Sequence, residues 1–254
     1  MGRLENKVAV ITGGNSGVGA AAAKLFAKEG AKVVISARRQ AQLEAAAEEI
    51  RAQGGEVLPV ICDISVSAQA DALIEKAAAA YGKIDILVNN AGILEEGIKP
   101  IDKVTDEDLD RVLNINTKGT IYCTRAAVNH MKVNGGGSIV NIASVAGVMG
   151  NGGAAYVSSK ASIVGITTHT ALRFAGQGIR CNVVCPGSIA TPMLMGAKDT
   201  PQDADMMSQM MKHSDMKVGI CMPDDVANIA LFLASDESRV ITGQKIICDL
   251  GSTL

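Results

Sequence analysis

Short apolar runs alternate with longer amphipathic stretches along this chain. Residues 8–11, 32–35, 57–61, 84–88, 138–142, 180–184 and 244–247 are apolar enough to be strands buried on both faces. Between them, residues 19–29, 40–53, 68–81 and 154–174 have helical length and an Ala-, Leu-, Glu- and Lys-rich composition. Buried strands alternating with helices predict an α/β fold with a parallel sheet covered on both faces. Right-handed crossovers then favour a doubly wound, Rossmann-type sheet of about seven strands over a closed barrel. Residues 188–223 carry no strand pattern and interrupt the cycle, which a barrel would have continued. No linker or repeat divides residues 1–254, so a single domain is expected.

Composition adds mainly exclusions. The net charge is -2 with both signs scattered, which is no nucleic-acid footprint. No apolar run reaches the ~20 residues of a membrane span, and no signal-peptide core precedes the first strand. A cytoplasmic protein is expected. The six cysteines are dispersed and apolar-flanked, as small buried hydrophobes in a reducing compartment would be. Nothing in the sequence calls for a metal.

The first predicted strand ends in Thr12-Gly13-Gly14-Asn15-Ser16-Gly17-Val18-Gly19, and a helix follows at once. Glycines there permit a tight turn and let a diphosphate approach main-chain N–H groups at a helix N-terminus. Asp63-Ile64 follows the third strand, and Asn89-Asn90-Ala91-Gly92 the fourth. Asn116, Ser144, Tyr156-Val157-Ser158-Ser159-Lys160 and Pro186-Gly187 come after them in order. With these motifs nearly the whole chain resembles the short-chain dehydrogenase/reductase family.

That resemblance implies a nicotinamide cofactor on the loop at Gly13, Asn15, Ser16, Gly17, Val18 and Gly19. Asp63, Ile64, Asn90, Ala91 and Gly92 would line its adenosine and ribose portions. Ile189 and Thr191, after Pro186-Gly187, would hold the nicotinamide carboxamide. In this family an acid at the end of the second strand selects NAD, and here Ala37 occupies that place, followed by Arg38 and Arg39. Guanidinium meets phosphate in charge-assisted pairs, so NADP(H) is expected, with NAD possible; Ser16 stands where many NADP-preferring relatives are basic.

Tyr156 and Lys160, four apart on a helix, share a face. A tyrosine with pKa near ~10 is a poor base, and a neighbouring ammonium favours its phenolate. By resemblance Tyr156 is the acid/base of an alcohol–ketone interconversion, and Lys160 tunes it while binding the nicotinamide ribose. Ser144 would hold the substrate oxygen, and Asn116, rather than Asn114, a water that links Lys160 to solvent. The interval from Ser144 to Tyr156 is one residue shorter than in many relatives, which reads as a shortened loop around residues 150–153.

The corresponding family segment, here about residues 188–222, covers the substrate. Its methionines (Met193, Met195, Met206, Met207, Met210, Met211, Met216 and Met222) suit a bulky hydrophobic alcohol or ketone such as a hydroxysteroid, or a face buried against a neighbouring subunit. A 3-oxoacyl-thioester reductase is the alternative, although positive charge for an acyl-carrier partner is not gathered in one tract. A non-enzymatic NADP(H) sensor is a third reading, set against the presence of both Tyr156 and Lys160. The resemblance also implies a homotetramer. Leu250 replaces a commonly seen glycine in the C-terminal tail.

Overall fold

The computed structural model describes residues 2–197 and 200–254, apart from the side chains of Ala197 and Met216. Lys198 and Asp199 of the expected lid, and the side chain of Met216, therefore lie outside the described residues. The elements follow in the order β1 (Val8–Thr12), α1 (Gly17–Lys28), β2 (Lys32–Ala37), α2 (Gln40–Ala52), β3 (Val57–Ile61), α3 (Ser67–Tyr81), β4 (Ile86–Asn89), α4 (Asp106–Val112), α5 (Gly119–Met131), β5 (Gly137–Ile142), α6 (Ala146–Met149), α7 (Ala154–Arg173), β6 (Ile179–Pro186), α8 (Pro192–Ala197), α9 (Ala204–Lys212), α10 (Pro223–Ala234) and β7 (Lys245–Cys248).

The seven strands form one parallel sheet in the order β3-β2-β1-β4-β5-β6-β7. Strand alternation divides the core in two. Ala9, Ile11, Val33 and Ile35 pack with Phe26, Leu43 and Leu231 on the side of α1, α2 and α10. Val10, Val34, Leu87 and Ile139 pack with Leu73, Cys123 and Met131 on the side of α3 and α5. β4 starts later than its apolar run, because Asp85 turns its carboxylate to the Val8 N–H, 2.7 Å away.

Two polar residues sit in the middle of this apolar sheet. Asn89 donates to Asn141 Oδ1 at 2.8 Å and to Thr124 at 2.9 Å, and Asn141 donates to Thr167 at 2.8 Å. These bonds join β4 and β5 to α5 and α7, while Asn89 Oδ1 stays buried without a partner. The chain leaves β1 towards β2 in one direction and β4 in the other. That reversal opens a crevice beyond the C-terminal ends of the strands, where doubly wound sheets bind ligands.

Candidate active site

A cavity of about 690 Å³ fills this crevice. One end is the glycine loop. Gly13 and Gly17 have φ of +67° and +53°, which side chains rarely adopt. At Gly19 a Cβ would lie 2.2 Å from the Gly13 carbonyl oxygen. Asn90 closes the loop from behind, donating from Nδ2 to the Thr12 and Gly13 carbonyls at 3.0 and 3.2 Å. The Asn90 and Ala91 N–H groups donate to Thr12 Oγ1. Ser16, the N-cap of α1, makes no capping bond, so the first-turn N–H groups face the cavity without a side-chain partner.

Further along, Ser36, Ala37, Arg38 and Arg39 at the end of β2 border the cavity with Asp63 and Ile64. The Ser36 hydroxyl is buried and has no partner. Both guanidinium groups are exposed, and no acidic partner holds either among the described residues. Asp63 is turned inward, accepting from the Ser65 N–H at 3.0 Å and its hydroxyl at 2.7 Å. Glycines with no room for a Cβ, an open helix N-terminus and an orphaned hydroxyl fit a dinucleotide. They would serve as the cradle, the anion site and a hydroxyl partner respectively.

At the other end stand Tyr156, Lys160, Ile189 and Thr191. Burial pushes the Tyr156 phenol up to about 12, against the opposing influence of the nearby Ser144 hydroxyl. The downward shift expected from the sequence belongs to Lys160 and an oxidised nicotinamide acting together; within the chain itself, desolvation outweighs the influence of Ser144. Lys160 is 4% exposed, its Nζ donates to the Ile142 carbonyl at 2.9 Å, and it lies 5.5 Å from the Tyr156 ring centre. Burial brings its ammonium down to about 8. Ser144 accepts from the Ala146 N–H at 3.1 Å and reaches Pro186 O only weakly, at 3.5 Å.

Asn116 is fully buried in a π-helical turn, Leu113–Lys118, between α4 and α5. Its amide exchanges bonds with the Ile93 main chain at 2.9 Å each way and donates to Ser159 at 3.0 Å. The side chain is thus fully engaged, so a water link to Lys160 would fall to the main chain of this turn. Gly92 fits between the two residues: a Cβ there would lie 3.2 Å from Asn116 Oδ1 and 3.5 Å from Lys160 Nζ.

Gly19, Asn116, Pro186 and Gly187 do not line the cavity and half-buried Ser144 follows Ala143, which does, whereas the other residues expected to bind cofactor border it. Pro186 accepts the Val145 N–H at 2.9 Å, which sets the turn carrying Ser144. Gly187 admits Asp249, whose Cβ would be 2.8 Å from a side chain there. Sequence reasoning missed Glu95, a buried carboxylate on the cavity wall that accepts the Tyr156 N–H at 2.5 Å. Its one signal was an acidic pair, Glu95-Glu96, inside an otherwise apolar stretch.

Residues 13–253 match the family model described as enoyl-(acyl carrier protein) reductase. Among curated proteins, the chain is 40% identical over 251 residues to the (2S)-[(R)-hydroxy(phenyl)methyl]succinyl-CoA dehydrogenase subunit BbsD of Thauera aromatica, covering 99% of this chain and 98% of that one. It is 39% identical over 251 residues to the 3-oxoacyl-[acyl-carrier-protein] reductase FabG of Thermotoga maritima, covering 98% of each. Among solved structures, levodione reductase superposes with a TM-score of 0.91 at 30% identity, over 98% of both chains. A short-chain type dehydrogenase/reductase from Mycobacterium marinum gives 0.88 at 31% identity, over 98% of this chain and 96% of that one. The chain is an oxidoreductase of the short-chain dehydrogenase/reductase family.

Proposed function

We propose that this protein interconverts a secondary alcohol and a ketone with NADP(H). The observation that carries the reading is Tyr156 beside Lys160, in the same cavity as the glycine loop. In the reductive direction Tyr156 gives its phenolic proton to the substrate oxygen. Ser144 donates a hydrogen bond to that oxygen, its proton being only weakly engaged on Pro186. Lys160, fixed by Ile142, stabilises the phenolate left behind. When bound, the nicotinamide cofactor supplies or takes up the hydride. Arg38 and Arg39, unpaired at the cavity rim, would take the phosphate that distinguishes NADP from NAD.

The substrate end of the cavity carries Glu95 and Glu96, and Lys160 is the one cation there among the described residues. A substrate without negative charge next to its reacting carbon fits this wall best. Met193 borders the cavity, whereas Met195, Met211 and Met222 are exposed, which weakens the reading of the methionines as one hydrophobic pocket for a steroid. A second reading, a 3-hydroxyacyl or 3-oxoacyl thioester, is favoured by the two relatives near 40% identity, whose names both specify thioester substrates. Its thioester carbonyl is neutral, and its charged carrier would lie outside the cavity.

Turnover followed by reduced-nicotinamide absorbance tests both. Acetoacetyl-CoA, a 3-ketosteroid and acetophenone are each offered NADPH and NADH. Tyr156→Phe should lower kcat by roughly 10²–10⁴-fold, and Arg38→Ala should weaken NADPH by about tenfold with little change for NADH. Wild-type activity retained in Tyr156→Phe would sink the mechanism. Preference for NADH would sink the cofactor assignment alone.

A further inference from the structure

The helix that carries Tyr156 has no cap of its own. Its N-cap is Gly153, which lacks a side chain, and the first N–H groups of α7 must find partners elsewhere. They find them in the segment that follows β4. The Ala154 N–H donates to the Lys99 carbonyl at 2.8 Å, and the Tyr156 N–H donates to Glu95 Oε2 at 2.5 Å. Tyr156 is the third residue of the helix, the position whose N–H a capping oxygen normally takes. Glu95 therefore replaces the missing N-cap side chain from another part of the chain.

The fit leaves no room for alternatives. A Cβ at Gly153 would sit 1.4 Å from Glu95 Oε1 and 3.1 Å from the Ile98 carbonyl carbon. Ile98 has φ of +50°, a costly conformation for a β-branched residue. The other side of the segment meets the proposed lid: the Asp203 N–H donates to the Gly97 carbonyl at 2.8 Å, and Lys103 pairs with Asp203 at 2.7 Å. Lys99 is held by Asp108, so it does not neutralise Glu95.

We propose that Glu95 is a positioning residue for the reaction: it caps the catalytic helix at Tyr156, and its segment ties that helix to the lid-side chain at Asp203. The proposal rests on the reading of Tyr156 as the acid/base. The Glu95 carboxylate, held at the helix N-terminus by the Tyr156 N–H, also opposes formation of the phenolate. The charged groups around Glu95 are Asp108 and Arg111, with Glu96 next in the chain, and its own carboxyl is pushed up by burial.

The chain has three tyrosines and no tryptophan, so phenolate absorbance reports Tyr156 against only Tyr81 and Tyr122. The full-length protein is titrated with saturating NADP⁺ as wild type, Glu95→Gln, Glu95→Ala and Tyr156→Phe; the last identifies the Tyr156 transition. Amide exchange of Tyr156 is read in the same proteins. Glu95→Gln keeps an acceptor and removes the charge: the Tyr156 transition should move to lower pH by about half a unit or more, with the amide still protected. Glu95→Ala should speed exchange of that amide by at least about tenfold, and lower kcat with acetoacetyl-CoA or acetophenone more than it changes NADP⁺ affinity.

A Glu95→Gln transition coincident with wild type overturns the proposal. So does Glu95→Ala losing kcat, NADP⁺ binding and melting temperature in parallel, the mark of a merely structural residue. If Glu95→Ala does not fold, Glu95→Gln alone decides. Full activity in Tyr156→Phe would instead remove the underlying mechanism, and the two failures are thereby distinguishable.

Discussion

The glycine-loop end of the cavity and the 188–222 segment at its other end are built on opposite principles. Around the loop, each main-chain turn is locked by a neighbour: Gly19 against Gly13, Asn90 against Thr12 and Gly13, Ala91 against Thr12. The 188–222 segment is pinned at its base, where the Ala190 N–H donates to Cys221 and the Cys221 N–H to Ser188 at 2.9 Å, and by ties at Asp203 and Asp215. Between those anchors α9 has no buried residue, and Met195 and Met211 are exposed. A rigid cradle suits a ligand whose chemical structure is the same in every turnover. A substrate must enter and leave, and elements with few buried contacts open at low free-energy cost.

The largest expected effect that sharpens this contrast is Gly19→Ala. One methyl aimed at the Gly13 carbonyl should abolish measurable NADPH binding and lower the melting temperature, as overpacking of a locked turn does. NADPH titration by fluorescence and thermal melting check it; a variant that binds normally would show the loop to be pliable. The catalytic strip between the two regions should behave in a third way. Lys160→Met should all but stop turnover yet stabilise the apo protein by about 1–3 kcal/mol near neutral pH, because it removes a buried ammonium.

The sign of that second effect follows from the proton count. The folded ammonium, brought down to about 8 from 10.5, sheds its proton while the unfolded chain keeps it. Wild type therefore regains stability relative to the variant as pH rises from 8 towards 10.5, and the advantage of methionine shrinks across that window. Denaturant melts at pH 7 and pH 9 measure the difference. An advantage that grows with pH would contradict the assigned burial.

Smaller changes probe the periphery. Leu250 has φ of +59°, which gives a physical reason for the glycine commonly found there, and Leu250→Gly should stabilise by about 1 kcal/mol. Met211→Gln, on the exposed part of the 188–222 segment, should shift stability by less than about 0.5 kcal/mol. A larger loss in Met211→Gln would mean that this face is covered in solution, by a second subunit for example, and that the contrast between the two ends is smaller than the single chain shows.

Much of the architecture was legible in the pattern of residues. Short apolar runs bounded by turn residues favour strands buried on both faces, and the glycines between β1 and α1 favour close main-chain approach; both are local consequences of side-chain chemistry. The four-residue spacing of Tyr156 and Lys160 likewise fixes a shared helical face whatever surrounds it. Asn116 is expected from the resemblance to hold a water, and it lies in a π turn with its amide bonded to Ile93 and Ser159. That difference depends on partners far away in the chain.

What only the tertiary structure decided has the same cause. Burial set the direction of the Tyr156 shift, because desolvation is a property of everything packed around a group and leaves no mark in its neighbours in sequence. Glu95 was invisible for a related reason: the helix it caps begins about sixty residues later, and nothing local to Glu95 or Gly153 announces the pairing. The sequence by itself determined the seven strands and the alternating α/β order, since each is a short-range pattern of residue types, while the candidate cradle and catalytic pair came from the resemblance. The tertiary structure alone decided which charge stands behind the acid/base and which side chains are desolvated, since both arise where distant segments meet.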